Sequence, residues 1–206
     1  MFKIIAVTNR KLCRGDFLEQ IKYIANSSVD AIILREKDLS PEEYYELARK
    51  VVDLVKNTNT ECILHSYLEV AKELKVRKIH LPLESALRYY ESDAENMSSF
   101  QTIGCSIHSI SQLNAVETLK RAHTSADFYV TAGHIFETDC KKGLPGRGLD
   151  FLRKICDQAS LPVYAIGGIT PERVKSIRAC KADGACLMSW CMNASPVELK
   201  QRWKIE

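Results

Sequence analysis

A regular alternation of short apolar runs and amphipathic segments constrains this sequence more than any other feature. Continuous runs of apolar and β-branched residues are typical of strands buried on both faces, and apolar residues at helical spacing predict the helices between them. Eight such runs occur along the chain, at residues 2–8, 31–34, 61–64, 77–82, 102–106, 128–132, 161–166 and 185–188.

Eight strand–helix units of roughly 25 residues each predict a single (β/α)8 barrel, an α/β TIM barrel, that occupies residues 1–206 as one domain. A doubly wound open sheet is the alternative, which we disfavour because the count of units closes at eight as the chain ends. Residues 91–101 are polar and lack periodicity, so we expect no regular structure there.

The charge and hydropathy of the chain exclude several classes of partner. A formal net charge of +3 is too small to indicate a nucleic-acid ligand. The sequence has no apolar run long enough to span a membrane and no secretory pattern at its start, so we expect a cytoplasmic protein without membrane contact. The oligomeric state stays open, with a homo-oligomer among the options.

Eight cysteines occur, and none forms a C-x-x-C pair. Their spacing matches neither a zinc site nor a small disulfide-rich scaffold. We therefore expect most of them to be reduced and buried as small apolar side chains. Cys140, in a polar segment, is the one that we expect to be accessible.

Residues 132–148 follow the sixth predicted strand and are dense in glycine and in groups that handle protons or anions. Parallel α/β proteins form their sites at the carboxyl ends of strands, so this segment is a candidate for the catalytic loop. The alternative is a solvated, charged surface turn. The polar side chains of the segment are His134, Glu137, Thr138, Asp139, Cys140, Lys141, Lys142 and Arg147.

Two further strand ends predict an anion site. Gly167 and Gly168 follow the seventh strand and Ser189 follows the eighth, where barrels commonly bind phosphate because glycine lets backbone N–H groups approach the anion. Arg35 and Lys37 end the second strand two residues apart, so both point the same way in an extended chain and suit a carboxylate or second phosphate. The alternative for this pair is an exposed basic turn.

Three of the five histidines, His65, His108 and His134, fall at predicted strand ends. Neither an H-x-x-x-H spacing nor an adjacent set of carboxylates accompanies them, so we expect no metal and no cofactor. A single imidazole suits acid–base work near neutral pH, and His134 is best placed for it.

Four motifs, in order and at strand ends, carry a family resemblance: LREK at 34–37, SIHS at 106–109, AIGGITP at 165–171 and DGACLMS at 183–189. With them the chain resembles the thiamine phosphate synthase superfamily along most of its length. Within that superfamily, GHIFETDCKKGLPGRG at 133–148 is similar to the thiazole tautomerase branch, called TenI, because His134 stands where the synthase has proline.

The resemblance implies an isomerase that aromatises a carboxylated thiazole phosphate, with His134 as the catalytic acid and base. By the same resemblance the phosphate binds at Gly168 and Ser189, beside Gly167, and Arg35 and Lys37 face the substrate carboxylate. The remaining positions that the resemblance assigns to substrate binding are Thr138, Lys141, Ser106 and His108.

Two departures from the synthase pattern oppose the synthase as the activity. His65-Ser66 replaces an Asn-Asp pair, and Leu83-Glu84-Ser85 replaces an acidic stretch, so oxygen ligands for a diphosphate-bound Mg²⁺ are lost. The alternatives are nevertheless thiamine phosphate synthase itself, which joins hydroxymethylpyrimidine diphosphate to thiazole phosphate, and a non-catalytic regulator that binds a thiamine intermediate.

Overall fold

The computed structural model describes residues 1–138 and 143–200, in which eight parallel strands close into a barrel. Each strand pairs with its neighbours in sequence, and β1 pairs with β8 to complete the circle. This confirms the (β/α)8 barrel and excludes the doubly wound open sheet. The strands are β1 (Lys3–Val7), β2 (Ala31–Leu34), β3 (Glu61–His65), β4 (Lys78–Pro82), β5 (Thr102–Ile107), β6 (Asp127–Gly133), β7 (Val163–Ile166) and β8 (Gly184–Leu187).

Helices cover the outer face of the barrel. Short 3-10 turns at Arg10–Leu12 and Pro171–Arg173 accompany them. The helices are α1 (Phe17–Ala25), α2 (Pro41–Val55), α3 (Leu68–Glu73), α4 (Leu83–Ser92), α5 (Ala94–Met97), α6 (Ile110–Ala122), α7 (Gly148–Gln158), α8 (Val174–Ala179), α9 (Ser189–Asn193) and α10 (Pro196–Lys200).

Local sequence signals explain where the longest helix begins. The Ser40 hydroxyl accepts a hydrogen bond from the backbone N–H of Glu43, and the Glu43 carboxylate accepts one from the backbone N–H of Ser40. Pro41 occupies the first helical position, where its missing N–H costs no hydrogen bond. Side chains at helical spacing, among them Tyr44 and Val51, are then buried against the barrel.

The expectation for residues 91–101 is wrong, because this segment contains α5. Met97 and Phe100 are fully buried and fix the segment against the core, although the polar residues around them show no periodicity. A one-turn helix held by two apolar anchors is too short to produce a helical pattern in the sequence. That residues 1–206 form one domain stays a prediction.

Cys105, Cys180, Cys186 and Cys191 are buried, and the seven described cysteines are free thiols. Cys140 lies outside the described residues. Within residues 1–138 and 143–200, no helix has the length and apolar character that crossing a membrane requires.

The hydroxyl of Tyr44 joins α2 to two strands. It donates to the backbone carbonyl of Leu34, at the end of β2, over 2.6 Å, and accepts from the backbone N–H of His65, at the end of β3, over 3.0 Å. Burial raises the pKa of this hydroxyl far above its usual value, so it stays protonated and can donate. One buried oxygen therefore aligns two strand ends.

We expect Tyr44→Phe to lower the free energy of unfolding by about 2 kcal/mol or more, because it takes a partner from two buried backbone groups. Tyr45→Phe, at the neighbouring and less buried position, is the matched control and should change stability by less than about 0.5 kcal/mol. Urea unfolding of the two variants measures the difference. Equal losses would contradict this role for the Tyr44 hydroxyl.

Candidate active site

A cavity of about 510 Å³ opens at the carboxyl ends of the barrel strands. This volume is typical of sites for small molecules. Nine of the residues expected to form the catalytic and substrate site line it together: Arg35, Lys37, Ser106, His108, His134, Thr138, Gly167, Gly168 and Ser189. The tenth, Lys141, lies outside the described residues.

The buried carboxylate of Glu36 fixes the β2 end of the cavity. It accepts hydrogen bonds from the Thr8 hydroxyl over 2.6 Å and from the backbone N–H and guanidinium of Arg10 over 3.0 and 3.1 Å. The Thr8 oxygen in turn accepts from the backbone N–H of Arg35 over 2.9 Å. The ends of β1 and β2 are thereby locked together, and Arg35 and Lys37, on either side of Glu36, line the cavity.

A second ion pair braces the same turn. The Arg10 guanidinium contacts both carboxylate oxygens of Asp38, over 2.7 and 2.9 Å, and Lys11 contacts this carboxylate over 2.8 Å. Arg10, followed by Lys11, holds the pKa of Asp38 well below its usual range. The basic segment after β2 is therefore a structured turn, rather than the freely exposed one that the sequence left open.

The two glycines after β7 lie directly against the segment that follows β6. Gly167 has φ +105° and Gly168 φ +62°, a region that glycine enters without strain. A Cβ on Gly167 would lie 2.7 Å from the His134 Cα, and one on Gly168 would collide with the backbone oxygen of Glu137. Only glycine lets the two loops approach this closely.

Backbone hydrogen bonds continue the β6–β7 pairing into this contact. The N–H groups of Ile135 and Phe136 donate to the carbonyls of Ile166 and Gly167 over 2.9 and 3.0 Å. Gly133, His134, Glu137 and Thr138 line the cavity, so the first part of segment 132–148 forms its wall and is not a solvated surface turn.

His134 is buried, and one of its ring nitrogens has no hydrogen-bond partner among the described residues. Nε2 lies 2.9 Å from the carbonyl oxygen of Pro145, which can only accept, so Nε2 carries a hydrogen. The nitrogen without a partner is Nδ1, which holds a lone pair in the neutral imidazole. Buried polar atoms without a partner are rare and call for a ligand or water.

Nδ1 of His108 lies 2.6 Å from the carbonyl oxygen of Gly133, which can only accept, so Nδ1–H donates. In their neutral forms the two imidazoles therefore carry the hydrogen on different nitrogens, Nε2 in His134 and Nδ1 in His108.

His65, at the end of β3, lines the cavity, and His80, inside β4, is buried; both are neutral histidines. Burial, then repulsion from His80, Arg35 and Lys37, lowers the pKa of His65 to about 2. Burial, then repulsion from Arg35 and Lys37, lowers the pKa of His80 to about 3. Neither imidazole carries charge near neutral pH.

Several cavity residues have no counterpart in the sequence-based expectations. Arg173 donates to the carbonyl of Gly168 and its guanidinium lies 4.5 Å from the centre of the Phe136 ring. It sits in the 3-10 turn before α8, where a basic residue resembles an ordinary surface charge in the sequence. The other lining residues that sequence reasoning did not assign to substrate binding or catalysis include His65, Thr131, Glu137 and Trp190. His65 had been noted at a strand end, and Glu137 in the segment after the sixth strand.

Comparison with known proteins places this site in context. Residues 4–190 match the family model described as thiamine monophosphate synthase. The thiamine-phosphate synthase of Syntrophomonas wolfei is 28% identical over 215 residues, covering 98% of this chain and 97% of the relative. That of Fusobacterium nucleatum is 29% identical over 193 residues, covering 91% and 87%.

A solved structure agrees with these matches. The thiamine phosphate pyrophosphorylase from Pyrococcus furiosus has a TM-score of 0.78 and 25% identity, with 98% of this chain and 93% of that chain covered. These relatives carry transferase names, so the expected isomerase activity, the thiazole tautomerase, is wrong. A histidine in place of proline, together with the departures from the synthase pattern at residues 65–66 and 83–85, was too narrow a basis for choosing a reaction within a shared fold.

Among the described residues, the cavity lining does not fit the Mg²⁺ that the resemblance implies for the synthase. Mg²⁺ prefers carboxylate and other oxygen ligands. Glu137 is the one carboxylate among the described lining residues, and the buried Glu36 is already committed to Thr8 and Arg10. Across residues 1–138 and 143–200, no three His, Cys, Asp or Glu side chains come together as metal ligands.

The two neutral histidines make a prediction about acid stability. The pKa values of His65 and His80 are lower in the folded protein than the usual histidine value of about 6.5, so the unfolded chain binds protons first as the pH falls. The stability that is present above about pH 6.5 is therefore lost as the pH falls toward 3 for His80 and toward 2 for His65. Each histidine contributes up to about 1.4 kcal/mol per pH unit in this window.

We expect His80→Gln to flatten this pH dependence, measured by urea unfolding at pH 7.0, 6.0 and 5.0. His123→Gln, at the end of α6, is the control for the loss of a histidine side chain. A parent slope that persists in His80→Gln would show that His80 is not held neutral.

Proposed function

Because the chain belongs to the thiamine monophosphate synthase family, we propose that it is a transferase of thiamine biosynthesis that joins a pyrimidine diphosphate to a thiazole phosphate. The observation that carries this proposal is the convergence of Arg35, Lys37 and Arg173 with Gly168 and Ser189 on one cavity. Cations and glycine backbone N–H groups are suited to bind two phosphorylated substrates.

The reaction balances without a redox partner or an added proton. The thiazole ring nitrogen attacks the methylene carbon of the pyrimidine and forms a C–N bond, while the C–O bond to diphosphate breaks and the diphosphate leaves with the electron pair. Negative charge develops on the leaving oxygen, so nearby cations stabilise the transition state more than the ground state.

We assign the two anionic groups to opposite sides of the cavity. Gly168 with Gly167 and the Ser189 hydroxyl hold the thiazole phosphate, in the loops that bind phosphate in many barrels. Arg35 and Lys37 receive the diphosphate, and their position is secured by the buried carboxylate of Glu36. Since the donor set of the described lining residues does not fit Mg²⁺, we propose that these side chains neutralise the leaving group themselves.

Four further residues contact the substrates in this proposal. Ser106, His108 and Thr138 line the cavity between the two anion sites. The Nδ1 lone pair of His134 accepts a hydrogen bond from a substrate donor, such as the amino group of the pyrimidine, which would satisfy this buried atom. His134 is thus proposed as a catalytic residue that orients the substrate.

Incubation with hydroxymethylpyrimidine diphosphate and thiazole phosphate tests the function, with thiamine phosphate quantified by chromatography. We expect coupled product, at rates that agree within about twofold in Mg²⁺ and in excess EDTA, since side-chain cations offset the charge. Arg35→Gln should lower kcat/KM at least about tenfold, as expected for a charge-assisted contact.

Lys50→Gln, which removes the same charge from an exposed position on α2, is the matched control and should keep the parental rate. Absence of thiamine phosphate under both metal conditions would refute the transferase. A strict requirement for Mg²⁺ would instead refute the role of the side-chain cations.

His134→Asn removes the imidazole while leaving a small polar side chain at the position. We expect the fold to be retained and kcat/KM to fall at least about tenfold, because the substrate loses its acceptor. His123→Asn serves as the control for loss of a histidine. Unchanged turnover in folded His134→Asn would remove His134 from the site.

A further inference from the structure

Four side chains form a series of hydrogen bonds from the barrel interior to the cavity. The Tyr129 hydroxyl lies 3.0 Å from His80 Nδ1, and His80 Nε2 lies 2.8 Å from the Ser106 hydroxyl. The Thr131 hydroxyl donates to the Ser106 oxygen over 3.3 Å. Ser106 and Thr131 line the cavity, whereas Tyr129 and His80 are buried behind them.

The ionisation states of the inner pair are fixed by burial. The Tyr129 ring is fully enclosed, which raises the pKa of its hydroxyl well above its usual value, so it keeps its hydrogen. Burial lowers the pKa of His80 to about 3, so its imidazole is neutral and carries one N–H. One ring nitrogen of His80 therefore donates and the other accepts.

The position of that N–H follows from the partners of Tyr129. Among the described residues, the Tyr129 hydroxyl has one hydrogen-bond partner, His80 Nδ1. If Nδ1 carried the hydrogen, the hydroxyl hydrogen of Tyr129 would be buried without an acceptor, which is unfavourable. With the hydrogen on Nε2, Tyr129 donates to Nδ1, and Nε2–H donates to the Ser106 oxygen at 2.8 Å in preference to the Thr131 oxygen at 3.5 Å, so both bonds are made.

We propose that His80 is a positioning residue that, held as the Nε2–H tautomer by Tyr129, turns the Ser106 hydroxyl into a dedicated donor toward the cavity. The Ser106 oxygen accepts from His80 and from Thr131, so its own hydrogen is directed away from both. A donor at this point requires a ligand atom that accepts.

The charge of the cavity identifies the class of acceptor. Arg35 and Lys37 line the same cavity as Ser106, and an anionic oxygen satisfies a hydroxyl donor and these cations together. The Ser106 hydroxyl thus donates to a phosphate oxygen of the bound substrate. This last step rests on the proposed function, while the tautomer of His80 is a property of the free protein.

Nitrogen-15 NMR of the ligand-free protein tests the tautomer directly, because protonated and bare imidazole nitrogens differ widely in chemical shift. We expect His80 Nε2 protonated and Nδ1 bare, and a displaced Nδ1 signal in Tyr129→Phe. Tyr164→Phe is the matched control, since its ring packs 5.2 Å from that of Tyr129 and should leave the His80 signals in place. A hydrogen on Nδ1 in the parent protein would overturn the proposal.

Calorimetric titration with thiazole phosphate and with inorganic pyrophosphate tests the directed donor. We expect Ser106→Ala and His80→Leu each to weaken binding about tenfold, with no further loss when they are combined, because both remove the same donated hydrogen bond. His80→Gln can accept from Tyr129 and donate to Ser106 through its amide, so it should bind within about threefold of the parent protein.

Losses that add in the double variant, or parental affinity in folded His80→Leu, would overturn the role of His80. The two proposals fail separately. If His80 has the Nε2–H tautomer but no coupled product forms, the positioning of Ser106 stands and the transferase is refuted. If coupled product forms but His80 carries its hydrogen on Nδ1, the transferase stands and the positioning of Ser106 is refuted.

Discussion

The pairing of β1 with β8 closes the sheet, and the position of every loop depends on this closure. Lys3 through Ala6 pair in register with Gly184 through Leu187, so neither edge of the sheet is exposed. All eight strands are parallel, and all of their carboxyl ends therefore meet at one mouth of the barrel. Side chains as far apart in sequence as Arg35 and Ser189 then line the same cavity.

Closure also brings polar groups into the interior, and the hydrogen bonds of these groups determine the precision of the site. Glu36 is buried with its carboxylate bonded to Thr8 and Arg10, and the Tyr44 hydroxyl joins the ends of β2 and β3. An unpaired group at either position would cost about 1–3 kcal/mol, so each network permits few alternative arrangements. Among the described residues, the buried side-chain atom that departs from this rule is Nδ1 of His134, which belongs to a cavity residue.

Sequence reasoning predicted the barrel and nine of the residues that line the cavity from one regularity, since a polar residue that follows an apolar run reaches the mouth of a closed parallel sheet. It missed Arg173 because that residue belongs to a 3-10 turn, away from the end of β7. It found no order in residues 91–101 because two buried apolar residues make no periodic pattern.

The choice between isomerase and transferase failed for another reason. The side chains proposed to bind a thiazole phosphate would serve both reactions, so the motifs point to the ligand class more sharply than to the bond that changes. The tautomer of His80 depends on a contact between β4 and β6, which strand patterns do not reveal.

The electrostatics of the cavity distinguish residues that supply charge from residues that supply hydrogen bonds. Three cationic residues line the cavity, Arg35, Lys37 and Arg173, and the described lining residues include one carboxylate, Glu137. Repulsion from Arg35 and Lys37 helps to keep His65 and His80 neutral. In the proposed function these cations neutralise phosphorylated substrates, while the buried neutral imidazoles act as oriented donors and acceptors. Because a neutral imidazole has a defined tautomer, it can impose a direction on the hydroxyl beside it, which a freely rotating ammonium cannot do. In that proposal the cations favour phosphorylated ligands in general, and the neutral histidines select the orientation in which one is held.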